Sequence, residues 1–184
     1  MITPWKKVGS KPIGDFRIFK LRSDICINPR TNKEHDFYVL ETVGWVNVIA
    51  LTPARELVMV QQFRIGSQTV ELEIPGGIMD PGETDPVATG VRELREETGF
   101  EGAGARPLGW VFANPAIMNN RSHFIIVEQC VHRHACEFDG SEDLLTRLVP
   151  YREIPALVRT GKIRHPLVVA ALHHYDLVRR ATGG

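Results

Sequence analysis

The chain has 184 residues, with 22 Lys+Arg against 22 Asp+Glu and a hydrophobic fraction of 43%. That is enough for one domain with a proper core, and the balanced charge argues against broad electrostatic binding to nucleic acid or to anionic membranes. No apolar run reaches the length of a membrane span, and Met1 to Lys7 is not followed by the apolar stretch of a signal peptide. Three cysteines, Cys26, Cys130 and Cys136, are few and odd in number, which fits a reduced, cytoplasmic setting.

In chain order, Phe16–Arg22 alternates and reads as a strand that continues in extended form through Ile27. Asn28-Pro29-Arg30-Thr31-Asn32 reads as a turn, and His35–Thr42 as the returning strand. This N-terminal antiparallel β region, residues 1–42, carries more apolar residues than two strands can bury. It is expected to pack on the rest of the chain or on a second subunit. Trp5, Phe16 and Tyr38 are its candidates for stacking on a nucleobase.

Residues 43–184 read as a second domain. Trp45–Leu51 and Glu56–Phe63 look like core strands joined by Thr52-Pro53-Ala54-Arg55, and Thr69–Ile74 delivers the chain to Pro75-Gly76-Gly77. Pro86–Thr98 reads as a helix: Pro86 suits the first turn, Asp85 or Thr84 can cap it, and Gly99 can end it. Leu108–Ala113, His123–His132 and Leu144–Tyr151 read as strands, and Ile154–Thr160 and Pro166–Arg180 as helices. The whole is expected to be α/β, a helix/sheet/helix sandwich with a mixed sheet.

The chemistry concentrates in the Pro86–Thr98 helix and the loop before it. At about 100° per residue, Glu93, Glu96 and Glu97 share one arc, while Val87, Val91, Leu94 and Thr98 form a separate face expected to meet the core. Like charges on one helical face repel, and a hard divalent cation relieves this while keeping positions open for water and substrate phosphate. His132, His134 and Cys136 alternate at strand spacing, but a zinc site needs four ligands and no fourth is evident. His173 and His174 are expected to point to different helix faces.

The stretch from Gly77 to Phe100 resembles the signature of the Nudix hydrolases, G-x5-E-x7-R-E-U-x-E-E-x-G-U, with U a bulky aliphatic residue. Gly77, Glu83, Arg92, Glu93, Leu94, Glu96, Glu97 and Gly99 fill its places, and Phe100 fills the last U. There is one departure: eight residues, not seven, separate Glu83 from Arg92. The extra residue fits most easily at Thr84-Asp85, before the helix, which leaves the expected tie between Glu83 and Arg92 open.

The flanks, Gln61-Gln62-Phe63-Arg64, Glu71–Gly77, Asn114-Pro115-Ala116 and Gly161-Lys162-Ile163, resemble the branch acting on ADP-ribose and other nucleoside diphosphate sugars. The resemblance implies an α/β/α Nudix fold and metal-dependent hydrolysis of a diphosphate linkage, releasing a nucleoside monophosphate and a sugar phosphate. It implies two or three Mg²⁺ or Mn²⁺ ions on Glu93, Glu96, Glu97 and the Gly76 carbonyl. Arg64 and Glu73 are the substrate-binding candidates, and Glu142, in the loop Phe138–Asp143, is the candidate catalytic base. The branch also implies a homodimer. The alternatives are hydrolysis of oxidised nucleoside triphosphates and a non-catalytic nucleotide-binding module.

Overall fold

The computed structural model of the protein describes residues 1–140 and 142–181. The chain forms two compact units: residues 1–44 with 112–121, and residues 45–111 with 122–184.

The first unit is a three-stranded antiparallel sheet of β1 (Lys6–Asp15), β2 (Lys20–Ile27) and β3 (Glu34–Glu41), in that order. Sequence reasoning expected one strand over Phe16–Arg22. Instead Phe16 to Phe19 is a tight turn, closed by Phe16 N–H donating to the Phe19 carbonyl at 2.9 Å, with Arg17 at φ 65°. β1 escaped notice because Gly9, Pro12 and Gly14 break any alternation. Register shifts fall at Lys7/Gly9 and Pro12/Gly14, and β1 is an edge strand, where proline is tolerated. Buried Asp24 pins β1 to β2. Burial works against its charge, yet Ser10 (2.6 Å), Arg22 and Lys7 hold its carboxyl below the usual range. Trp5 packs edge-on against Phe37 (5.2 Å) and beside His35, Phe16 packs on Phe19, and Tyr38 is exposed.

The second unit contains β4 (Trp45–Ala50), β5 (Glu56–Arg64), β6 (Thr69–Glu73), α1 (Pro86–Thr98), most of β7 (Phe100–Phe112) and of β8 (Arg121–His132), β9 (Leu144–Pro150), α2 (Ile154–Arg159) and α3 (Pro166–Ala181). β4 runs parallel to β8 in a sheet of order β4-β8-β7, while β5 lies antiparallel between β6 and β9. Parallel and antiparallel pairings thus coexist, as the α/β reading expected. β4 shows why its sequence is continuously apolar. Val48 and Ala50 join Leu94 of α1 and Ile125 on one side, and Ile49 and Leu51 join Val168, Ala171 and Leu172 of α3 on the other. A strand covered on both faces has no polar side to alternate with.

α1 begins and ends where the sequence placed it. The Asp85 side chain accepts from Val87 N–H at 2.9 Å, and Gly99 closes the helix in the left-handed region at φ 70°. Its inward face is different from the expected one. Val91 is 40% exposed, whereas Glu93 and Glu97 are buried. Gly90 lets α1 approach the sheet: a Cβ there would lie 3.0 Å from Ile125. That contact turns Gly90, Leu94 and Glu97 inward and Val91 outward. β7 starts at Phe100 rather than Leu108, because Glu101–Arg106 is too rich in Gly and Ala to show a period.

Candidate active site

The site is built where β6 ends, the Gly76–Gly77 loop crosses, and α1 lies beneath. Val46 N–H on β4 donates to the Gly77 carbonyl at 2.9 Å and Val48 N–H to the Pro75 carbonyl at 2.8 Å, which pins the loop to β4. A Cβ on Gly76 would lie 2.2 Å from the Val46 carbonyl oxygen, and one on Gly77 2.5 Å from the Glu93 carboxyl. Only glycine allows these approaches. Gly76→Ala is therefore expected to destabilise the protein by about 2–3 kcal/mol, because backbone rather than a side-chain tip must move. Thermal denaturation checks this, and an unchanged Tm would contradict it.

Glu97 is 5% exposed and accepts from the Gly76 N–H at 3.0 Å; Glu93 is 8% exposed. Burial pushes the Glu97 carboxyl up to about 8, reinforced by the charges of Glu93 and Glu142 against the pull of Gly76 N–H and Arg64. Burial likewise pushes Glu93 up to about 7; Arg92 opposes this, while Glu96 and Glu142 add to it. Glu96 is half-buried and paired with Arg92 at 2.8 Å.

The open question of the Glu83–Arg92 tie resolves cleanly. Arg92 reaches Glu83 at 3.6 Å and Glu93 at 3.1 Å despite the extra residue, because Thr84-Asp85 lie before the helix. Glu83 is further fixed by Asp80 N–H (2.7 Å) and the Thr89 hydroxyl (2.9 Å), which, the Asp80 bond foremost, hold its carboxyl below the usual range.

Glu142 sits in the loop after β8. Its carboxylate accepts from Asp139 N–H at 2.9 Å, and its charge is felt at both Glu93 and Glu97. Ser141, within that candidate loop, lies outside the described residues. Arg64 on β5 forks onto Glu73 on β6, with two bonds of 2.8 Å. The bridge leaves Glu73 3% exposed and holds the guanidinium plane fixed.

A cleft of about 800 Å³ opens beside this loop, lined by Arg64, Glu71, Glu73, Gly76 and Gly77 together with Trp45, Arg164, His165 and Leu167. Sequence reasoning passed over Trp45, Glu71, Arg164 and His165 as site residues. Alternation with Glu73 along β6 was the available signal for Glu71; the others have none, since they come from distant segments.

The histidines have structural company. His134 Nε2 is 2.9 Å from Glu101, His132 meets the Phe100 ring at 5.3 Å, and Cys136 is exposed. His174 meets Phe124 at 5.2 Å, while His173 is exposed. Among the described residues no three His, Cys, Asp or Glu side chains already enclose a metal position, and no helix is long and apolar enough to cross a membrane. At α1, Arg92 is the cation among the carboxylates. Two buried carboxyls pushed toward neutrality, with a third half-buried beside them, nevertheless make a hard-oxygen donor set that suits a divalent cation.

A family model described as the NUDIX domain matches residues 43–169. The methanol dehydrogenase activator of Bacillus methanolicus is 38% identical over 98 residues, covering 52% of this chain and 51% of that protein, so the match spans about half the relative's length. The ADP-ribose pyrophosphatase of Bacillus subtilis (strain 168) is 26% identical over 140 residues, covering 76% and 75%. A GDP-mannose pyrophosphatase of Shigella flexneri serotype 5b (strain 8401) is 27% identical over 131 residues, covering 67% and 68%. A crystal structure described as an ADP compounds hydrolase superposes with a TM-score of 0.85 over 100% of this chain and 98% of that one. At 18% identity that likeness concerns the fold alone. Since the family model spans more than half of the chain and the Gly76–Gly99 constellation lies inside it, the chain belongs to the Nudix hydrolases.

Proposed function

We propose that this chain hydrolyses the diphosphate linkage of nucleoside diphosphate sugars, ADP-ribose among them, to a nucleoside monophosphate and a sugar phosphate. The observation that carries the reading is the cleft itself. It runs from the Gly76–Gly77 loop, whose Gly76 N–H donates to Glu97, along a lining that carries two forked arginines, Arg64 and Arg164. Its volume of about 800 Å³ falls in the range of pockets that enclose a whole small ligand.

Glu93 and Glu97, with Glu96 and the Gly76 carbonyl, would hold Mg²⁺ or Mn²⁺, two or three ions in all. When bound, such ions neutralise phosphate charge and lower the pKa of water. Arg64, fixed by Glu73, orients the diphosphate through its remaining N–H groups. Glu142 takes the proton of the attacking water, and its loop brings it to the site. Arg92 holds Glu83 and Glu96, keeping loop and helix in register.

The raised carboxyls give a pH signature. Near pH 7 a cation must displace protons from Glu97 (about 8) and Glu93 (about 7). Apparent Mg²⁺ affinity is expected to rise up to about tenfold per pH unit for each proton displaced, levelling above the Glu97 value. Calorimetry at pH 7 in buffers of different ionisation enthalpy reads the proton release; heats independent of buffer would contradict it.

The enzyme is further proposed to act as a homodimer through residues 1–44, where Trp5, Val8, Ile13 and Phe37 remain exposed. A monomeric mass in light scattering would refute this part alone. The function is tested by phosphate-monoester release from ADP-ribose, ADP-glucose, GDP-mannose, dGTP and 8-oxo-dGTP with Mg²⁺ or Mn²⁺. Cleavage of sugar nucleotides supports the proposal. Activity confined to triphosphates supports the nucleotide-cleansing alternative, and no turnover with retained binding supports the non-catalytic one.

A further inference from the structure

A second cleft, of about 450 Å³, lies in the same unit and shares no residue with the one beside the Gly76–Gly77 loop. Three segments meet there. The turn between β4 and β5 brings Arg55, the chain just after β9 brings Tyr151 and Arg152, and the end of α3 brings Asp176, Arg179 and Arg180. Tyr151 N–H donates to the Arg55 carbonyl at 3.0 Å, which ties the first two segments together. The whole chain balances 22 Lys+Arg against 22 Asp+Glu, yet this lining carries four guanidiniums and one carboxylate. Glu56 and Glu153, the acidic neighbours in sequence, do not line it, and Glu56 is turned to the Thr52 hydroxyl at 3.4 Å.

The one carboxylate is already shared. Asp176 accepts from the Tyr151 hydroxyl at 2.7 Å and pairs with Arg179 at 3.4 Å and Arg180 at 3.7 Å. Arg55 and Arg152, both exposed, have no carboxylate partner among the described residues. Cations in the last turn of a helix offset its dipole. That accounts for Arg179 and Arg180, but not for Arg55 and Arg152, which come from outside α3. Arg55 is also held at φ 59°, at the end of the short loop between Thr52 and Glu56, where glycine is the usual residue. Like charges gathered around a concave site repel, and a bound anion relieves this.

We propose that Arg55, Arg152, Arg179 and Arg180 form a binding site, separate from the cleft described above, for a small anion carrying linked phosphate groups. Guanidinium forks match phosphate oxygens, and arginine rather than lysine at all four places suits that geometry. The lining has an excess of three positive charges, four less one. One phosphate group carries about −1.5 to −2, so more than one is needed to offset it. The volume is that of a small-ligand pocket rather than of an extended surface. Arg179 is held in place, with its guanidinium 5.7 Å over the Tyr151 ring and tied to Asp176. Arg55, Arg152 and Arg180 are exposed, so their N–H groups are open to the ligand. The inference is independent of the reaction proposed above.

The test is calorimetric titration of the full chain with inorganic triphosphate, in EDTA so that no metal bridges the probe to Glu93 and Glu97. Saturable binding is expected, weaker by about tenfold or more in Arg152→Gln and in Arg55→Gly, and within about twofold of the wild type in Arg64→Gln. Glycine suits the left-handed backbone at position 55, so the Tm of Arg55→Gly without probe is expected to hold or rise. A lost ligand contact is thereby separated from a lost fold. Orthophosphate is expected to bind about tenfold more weakly than triphosphate. No saturable binding to the wild type, or a loss in Arg64→Gln as large as in the other two variants, overturns the site. Citrate binding as tightly as triphosphate overturns phosphate as its ligand. Tighter binding of a short single-stranded oligonucleotide, lost in the same two variants, overturns the small ligand in favour of a nucleic-acid backbone.

Discussion

Glu97→Gln is expected to lower turnover of ADP-ribose by roughly 10³-fold while leaving the protein folded. The side chain is buried and accepts the Gly76 N–H, a bond that a glutamine oxygen can keep. What the substitution removes is the charge. The same change has an opposite effect on metal-free stability, and its pH dependence follows from linkage. The carboxyl stands at about 8 in the folded protein against an ordinary 4.5, so between those values the folded state binds the extra proton. Stability is then fully present below pH 4.5 and is lost as pH rises through 8. Glutamine does not titrate, so metal-free Glu97→Gln should gain on the wild type as pH rises from 5 to 9, ending several degrees higher in Tm. Saturating Mg²⁺ should reverse the order, since only the wild type keeps the full ligand set. Scanning calorimetry at four pH values, with and without metal, checks both halves. A Tm difference that stays flat across pH would show that Glu97 is not a buried charge.

The helix at the heart of this prediction was legible in the sequence to the residue, because its signals are local. Asp85 caps it, Pro86 opens it and Gly99 closes it. Its rotation was not legible. Hydrophobicity placed Val91 inside, but the face that packs is chosen by close approach at Gly90, which has no side chain to advertise it. The consequence is chemical: two of the three glutamates lie in the packed face, and burial rather than mutual repulsion is the first cause of their raised values. β1 was hidden for a related reason, since its bulges at glycine and proline erase the period that marks a strand. Within the site, Arg64 and Glu73 are nine residues apart in a hairpin, but the register sets Arg64 opposite Thr69 and Glu73 opposite Val60, so the long arginine reaches along the strands and pairing alone does not announce the bond. Arg164 meets Glu71 across ninety-three residues, and no local pattern announces such a pair.

Glu142→Gln is expected to lower kcat by about 10²-fold with little change in KM or in Mg²⁺ affinity. Three roles compete for this residue: turn closure, metal ligation and general base. Its carboxylate closes a turn by accepting Asp139 N–H at 2.9 Å, while Glu142 N–H donates back to the Asp139 carbonyl at 3.2 Å. Its charge also adds, behind burial, to the upward shift of both Glu93 and Glu97. Glutamine separates the roles, because its amide oxygen still accepts the Asp139 N–H but the side chain can no longer take a proton from water. A turn-closing residue would survive the change with near-normal kcat. A metal ligand would lose Mg²⁺ affinity along with turnover. A general base would lose kcat alone, and its limb of the pH–rate profile would disappear with it. Removing a negative charge near two carboxyls should also lower the values of Glu93 and Glu97, so fewer protons are released per metal bound at pH 7. Single-turnover kinetics beside calorimetry on this one variant therefore decide between three assignments. Near-normal turnover would move the role of base to another group at the site, with Glu96, half-buried and now tied to Arg92 at 2.8 Å, the next to substitute.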